Sequence, residues 1–236
     1  MAIEVYWGSG SPFSWRVLLA LEFKRLPYNS HLLHFDLQEH KAPRMLAMNP
    51  RGRLPVVKDG DYVVFESLAI LYYLDRKYPD PPLFGTSAEE GAVIMRVINE
   101  FQAYTEAALM SIVDAMMRGR PLSQQLSEAM HLVAGEARTI EGRLAKSDWI
   151  VGDGVSAADL AIYPCIRLLH RALTRPAAAE LSARFLPAEV HYPALARWMT
   201  RVEALPGFER TWPPHWRAAD LQRKPDQPSQ GVPNAS

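Results

Sequence analysis

Ile3-Glu4-Val5-Tyr6-Trp7-Gly8-Ser9-Gly10-Ser11-Pro12-Phe13-Ser14-Trp15-Arg16-Val17 is the stretch on which the reading of this chain turns. The apolar run at its start predicts a short strand. A hydroxyl-rich turn follows. Pro12 then suits the first position of a helix, in which Val17, Leu18, Ala20 and Leu21 recur at helical spacing. Such a turn presents a hydroxyl and unpaired backbone N–H groups at the positive end of a helix. That is a suitable place for a thiolate or another small anion.

Around this stretch, strand and helix signals alternate through residues 1–79. Residues 28–35 read as a second strand. Residues 42–48 read as one or two helical turns, stopped by Asn49-Pro50-Arg51-Gly52. Pro55-Val56-Val57-Lys58 and Tyr62-Val63-Val64-Phe65 flank Asp59-Gly60-Asp61, which is a hairpin signal. Residues 67–78 predict a further helix, ended by Pro79. Pro79-Asp80-Pro81-Pro82 is stiff and non-helical, and a linker is placed over 80–88. Beyond it the pattern is helical from 89 to 218, with helices over 89–118, 122–146, 157–173 and 192–204. Shorter helices are expected between Pro176 and Pro187 and after Pro206. Residues 219–236 are polar and proline-rich and read as a flexible tail.

Ser156-Ala157-Ala158-Asp159 has the pattern of a capping box, with Val155 and Leu160 placed for a hydrophobic staple. It reads as a folding device with no chemistry of its own.

Composition narrows the function. The 236 residues carry 26 Lys and Arg against 26 Asp and Glu, for a formal net charge of zero. The basic excess of a nucleic-acid binder is absent. No apolar run approaches the ~20 residues that span a bilayer, so no membrane association is expected. Met1-Ala2-Ile3-Glu4-Val5 runs straight into a strand and reads as no signal peptide. The one cysteine, Cys165, rules out an internal disulfide framework and a multi-cysteine metal site, and no metal is expected. It falls in an apolar helical run and reads as a small core residue. A reducing, cytoplasmic setting follows from this usage.

Several of these motifs together resemble the cytosolic glutathione transferases. Ser11-Pro12-Phe13-Ser14-Trp15-Arg16-Val17 is similar to the serine-type active-site turn of that family's tau, zeta and phi branches. His40-Lys41 followed by Asn49-Pro50-Arg51-Gly52-Arg53-Leu54-Pro55-Val56 resembles a phi-type glutathione segment. Phe65-Glu66-Ser67-Leu68-Ala69-Ile70 resembles the start of the helix that holds the γ-glutamyl group. The stretch ending in Ala158-Asp159 resembles the family's folding motif. The resemblance spans about residues 3–216. Arg53 stands where the family often has glutamine, and Pro12-Phe13 where zeta-type sites carry Ser-Cys, so no class is assigned.

The resemblance implies an α/β thioredoxin-like N-terminal domain plus an all-α C-terminal domain. It also implies glutathione as co-substrate, an electrophilic second substrate and a homodimer. Ser11 becomes the candidate catalytic donor, with Ser9, Ser14 and Tyr6 as substitutes. A plain helix N-cap is the alternative role for Ser11. Glutathione would be held by Phe13, His40, Lys41, Arg53, Leu54, Pro55, Glu66 and Ser67, with Leu54-Pro55 as a cis peptide. Trp15 and Arg16 are expected to support their own helix. Walls of the second-substrate pocket are sought in Trp7, Phe13, Tyr104, Met110 and Trp212, with Met116, Met117 and Trp216 also considered. Isomerisation, ether cleavage and peroxide reduction remain open in the same site, as does a non-catalytic binding module.

The chemistry implied is simple. A free cysteine thiol has a pKa of ~8.5, and lowering it by about two units corresponds to ~2.7 kcal/mol of stabilisation of the thiolate. A serine O–H donated to sulfur, with N–H groups at a helix start, supplies that order of stabilisation, since hydrogen bonds to charged groups contribute ~1.5–3 kcal/mol.

Overall fold

The computed structural model describes residues 2–217. The expected tail, 219–236, lies outside the described residues, as does the last residue of the expected helical domain. The first part of the chain builds a four-stranded sheet from β1 (Ile3–Trp7), β2 (Tyr28–Leu32), β3 (Val56–Asp59) and β4 (Tyr62–Phe65), in the order β2-β1-β3-β4. Helix α1 (Pro12–Phe23) carries the crossover that lets β2 lie parallel to β1; parallel neighbours require such a connection. β3 runs antiparallel to both β1 and β4. Asp59 pairs with Tyr62, so Gly60 and Asp61 alone make the turn, and Gly60 adopts the positive φ of 63° that this tight hairpin needs. Helices α2 (Pro43–Met48) and α3 (Ser67–Lys77) complete this thioredoxin-like unit.

β2 is shorter than the expected 28–35. The Leu33 N–H still donates to the Trp7 carbonyl at 2.8 Å, but β1 ends at Trp7 and offers no further partner. β3 begins one residue late because Pro55 has no N–H to donate to the ladder.

The described residues from Ala88 onward contain helices and no strand: α4 (Ala88–Phe101), α5 (Ala107–Met117), α6 (Gln124–Leu144), α7 (Ala157–Leu173), α8 (Ala179–Ser182), α9 (Ala188–His191), α10 (Pro193–Glu203) and α11 (Phe208–Thr211). The helix expected over 89–118 is interrupted. Residues Gln102–Glu106 form a π-helical segment between α4 and α5. Such a bulge turns the side chains after it to a new face, and Glu106, its last residue, reaches the buried Arg16.

The N-cap of α7 is the capping box read from the sequence. Asp159 is fully buried and accepts four hydrogen bonds. Ser156 N–H (2.9 Å) and Ser156 Oγ–H (2.8 Å) donate to Oδ2, and Ile150 N–H (3.0 Å) and Trp198 Nε1–H (2.8 Å) donate to Oδ1. Burial raises the pKa of its carboxyl, against the pull of those donors.

Trp15 and Arg16 do more than support α1. Trp15 Nε1 donates to Thr211 Oγ1 at 2.8 Å, and its ring meets Tyr163, Trp212 and Trp216 edge to face at 5.4–5.6 Å. Edge-to-face pairs at these separations contribute ~0.5–1.5 kcal/mol each beyond their burial. Arg16 is 1% exposed and pairs with Glu106. Its Nε donates to the Ala161 carbonyl at 2.8 Å. Both residues weld the sheet unit to the helical one. Among the described residues no helix is long and apolar enough to cross a membrane.

Candidate active site

Strand register gathers the expected site residues at one end of the sheet. Tyr6 pairs with Val56, and Val56 with Phe65. Trp7 pairs with Leu32. The turn after β1, the loop after β2, the stretch before β3 and the start of α3 therefore all emerge on the same side. Ser11, His40, Leu54 and Ser67 belong to those four segments.

Ser11 is the N-cap of α1, and its Oγ accepts the Ser14 N–H at 3.3 Å. A serine hydroxyl has one proton and two acceptor lone pairs, so accepting this bond leaves the O–H available to a neighbour. Ser11 lines a cleft of about 420 Å³ between the turn and the helical unit. Ser14 is fully buried, and its Oγ accepts the Gly8 N–H at 3.2 Å, so it shapes the turn from behind. Tyr6 stacks on His31 at 4.6 Å and packs with Leu33, Met45, Leu54 and Val56. Ser9 also lines the cleft, with its Oγ 2.6 Å from His215 Nδ1. Trp216 Nε1–H donates to His215 Nε2 at 2.9 Å. An indole nitrogen only donates, so in the neutral ring Nδ1 carries the proton and donates it to Ser9. Gly10 makes room for this: at its φ of +78°, an added Cβ would lie 2.6 Å from His215 Cε1.

The expected peptide-binding segment has its own signature. Leu54-Pro55 is cis. Leu54 is buried just ahead of the ladder that starts at Val56, which leaves its N–H and C=O outside the sheet pairing. Glu66 is exposed at φ 69°, ψ 115°, a backbone conformation costing ~1–3 kcal/mol for a residue with a side chain. It holds Ser67 at the first turn of α3. Ser67 Oγ accepts from Arg16 Nη1 at 3.4 Å, which leaves its own proton for a ligand. His40 sets its ring edge against Phe35, and its buried Nδ1 has no hydrogen-bond partner among the described residues. Lys41 donates to the Arg51 carbonyl at 3.1 Å, and Asn49 holds the Arg53 carbonyl at 2.8 Å. The Arg53 side chain is exposed.

The cleft beside Ser11 is walled by Phe13, Met110, Met117 and Trp216 among others. Four other expected wall residues stand elsewhere. Trp7 is buried on the core side of β1 and donates to Ser30 Oγ at 2.7 Å. Tyr104 sits on the π-helical segment, 71% exposed, over a separate depression with Met95 and Asn99. Trp212 packs behind the wall on Trp15 and Phe208, with the Arg167 guanidinium over its ring. Met116 is core. Phe35, His215, Arg171 and Arg175, which no sequence motif singles out, line the same cleft. The i, i+4 spacing of the two arginines was the one signal available.

Cys165 is fully buried and accepts from Arg16 Nη2 at 3.3 Å. Burial pushes its thiol up to about 11, against the nearby guanidinium. The thiol is therefore neutral at pH 7, and Glu106 is the ionic partner of Arg16. Among the described residues no cluster of three His, Cys, Asp or Glu side chains is placed to hold a metal ion.

The glutathione S-transferase N-terminal domain family matches residues 10–77, and the corresponding C-terminal domain family matches residues 102–206. Glutathione S-transferase A of Pleuronectes platessa is 32% identical over 229 residues, covering 91% of this chain and 92% of its own length. The crystal structure of a glutathione S-transferase from the Antarctic clam Laternula elliptica is 30% identical with a TM-score of 0.79, over 93% of this chain and 96% of that one. Glutathione transferase URE2P6 from Phanerochaete chrysosporium, solved in complex with oxidized glutathione, is 26% identical with a TM-score of 0.74, over 89% of this chain and 94% of that one. With motif order, sheet topology and relatives in agreement along nearly the whole chain, the protein belongs to the glutathione S-transferase family.

Proposed function

We propose that this chain transfers glutathione to an electrophilic carbon, with the thiolate steadied by the Ser11 O–H. The observation that carries this reading is the Ser11–Ser14 bond: it fixes the hydroxyl at the cleft and leaves its proton to donate. Glutathione lies along the sheet end. Its γ-glutamyl carboxylate meets Ser67 and the N–H groups opening α3, and its α-amino group meets Glu66. Its cysteine backbone pairs with Leu54, as an added strand would. Its glycine carboxylate faces His40, Lys41 and Arg53. Phe13 stands between the sulfur and the cleft that takes the second substrate. The sulfur attacks the electrophile, a C–S bond forms, and the leaving group departs with its electron pair.

A homodimer in the cytoplasm fits the same reading. Tyr72, Met95 and Tyr104 are large apolar side chains left exposed on α3, α4 and the π-helical segment, and a second copy would cover them.

The test is glutathione-dependent arylation by chlorodinitrobenzene. Ser11→Ala is expected to lower kcat/KM by roughly 10–100-fold, the equivalent of one lost hydrogen bond to a charged sulfur. Ser11→Asp keeps an N-cap but places an anion beside the thiolate. It is expected to be still slower, and an active Ser11→Asp would reduce Ser11 to a cap.

A further inference from the structure

The cleft that takes the second substrate is apolar on most of its surface yet carries two cations. Arg171, in the last turn of α7, and Arg175, two residues beyond its end, line it together with Met110, Val113, Met117 and Leu168. Among the described residues no carboxylate lines it. Among the described residues, neither arginine has an acidic partner within salt-bridge distance. Three acids of the helical unit are engaged elsewhere. Glu203 is taken by Arg167 (3.4 Å) and by the Tyr163 hydroxyl (2.8 Å), and Glu106 by Arg16. Asp114 holds Arg118 and Arg120.

Arg171 is also held in place. It is half-buried, and its guanidinium lies 4.9 Å from the centre of the Trp216 ring. Trp216 is itself fixed edge to face on Trp15 at 5.4 Å. Burial, then repulsion from Arg175 and Arg167, hold the pKa of Arg171 below the usual arginine value. The negative end of the α7 dipole offsets part of that repulsion, but such dipole contacts contribute only ~0.3–1 kcal/mol. An anion entering the cleft would offset much more, because a planar guanidinium binds a carboxylate or sulfonate through paired N–H donors.

We infer that the preferred second substrate of this protein is an anionic, largely apolar electrophile, whose carboxylate or sulfonate is received by Arg171 and Arg175 while its body lies on the methionine wall. The inference rests on the transferase reading above and adds a charge requirement to it.

The experiment compares chlorodinitrobenzoate with its neutral methyl ester as acceptors of glutathione. In both, the sulfur forms a bond to the ring carbon and chloride leaves with the bonding pair. Each kcat/KM is divided by the uncatalysed rate constant of the same compound, which removes intrinsic reactivity. The acid is expected to be favoured over the ester by about tenfold, falling with added salt. The double variant Arg171→Gln, Arg175→Gln should bring that ratio to about one. A wild-type ratio of one or below, or a ratio the double variant leaves unchanged, overturns the inference while leaving glutathione transfer intact. If neither compound is turned over, the transferase reading fails, and dye binding decides the charge preference alone. Anilinonaphthalene sulfonate should then bind about tenfold more tightly than neutral phenylnaphthylamine in wild type and equally in the double variant. Equal binding in wild type overturns the inference.

Discussion

Ser9 Oγ lies 2.6 Å from Nδ1 of His215, a residue 206 positions further along the chain. The bond pins the segment after α11 onto the turn after β1, and so closes one side of the cleft. His215→Ala removes the N–H that Ser9 accepts and the acceptor of the Trp216 indole. The loss acts on the cleft wall more than on the peptide site. Steady-state kinetics should show the KM of the electrophile raised by about fivefold, equivalent to ~1 kcal/mol of hydrogen bonding, with glutathione KM little changed. An effect confined to glutathione KM would put His215 in the peptide site instead.

Arg16, fully buried, pairs with the half-buried Glu106 between the two units. Removing one member leaves the other charged and unpaired, which typically costs 3–5 kcal/mol. Arg16→Ala is expected to lose about that much in denaturant unfolding. It also loosens Ser67, so the surviving folded fraction should bind glutathione more weakly. Arg16→Met combined with Glu106→Gln should recover part of the stability and little of the affinity. Full recovery of both would mean that the Arg16–Ser67 bond does nothing for the peptide.

Asp159 is a hub for four donors, and a carboxylate is the one side chain of its size with enough lone pairs. Asp159→Asn turns an NH2 group toward one pair of donors and is expected to cost ~2–4 kcal/mol. Ser156→Ala removes one cap contact and should cost ~1 kcal/mol. Chemical denaturation of both variants checks the order, which a merely helix-capping Asp159 would reverse or level.

Cys165 provides a probe of the interface. Its raised pKa and full burial predict that a thiol reagent at pH 8 labels it far more slowly in the native protein than in denaturant. Arg16→Ala should speed the labelling, because the guanidinium covering the sulfur is gone. Rapid native labelling would contradict the burial.

The parts of this fold legible in the sequence are those fixed by neighbours a few residues apart. Ser11 before Pro12 predicts an N-cap. Ser156 and Asp159 predict a capping box. Asp59-Gly60-Asp61 predicts a hairpin. Each is a local physical rule, and each is met. The segments proposed for glutathione were legible only through resemblance, because strand register, not spacing, brings the stretch before β3 and the start of α3 to one end of the sheet. The cleft wall was the least legible part. Trp7 belongs with Ile3 and Val5 on the buried face of β1, as the period of two along a strand requires. Tyr104 falls in the π-helical segment that interrupts the expected continuous helix, and it is exposed. His215, Arg171 and Arg175 gain their meaning from tertiary contacts alone.

The role of Ser11 is read from the ultraviolet absorbance of thiolate, followed against pH for glutathione bound to wild type, Ser9→Ala and Ser11→Ala. The wild-type complex is expected to ionise well below the ~8.5 of a free cysteine thiol, Ser11→Ala to return most of the way to that value, and Ser9→Ala to move it less. A wild-type complex that ionises like free glutathione, or a low midpoint that survives Ser11→Ala, would contradict that role.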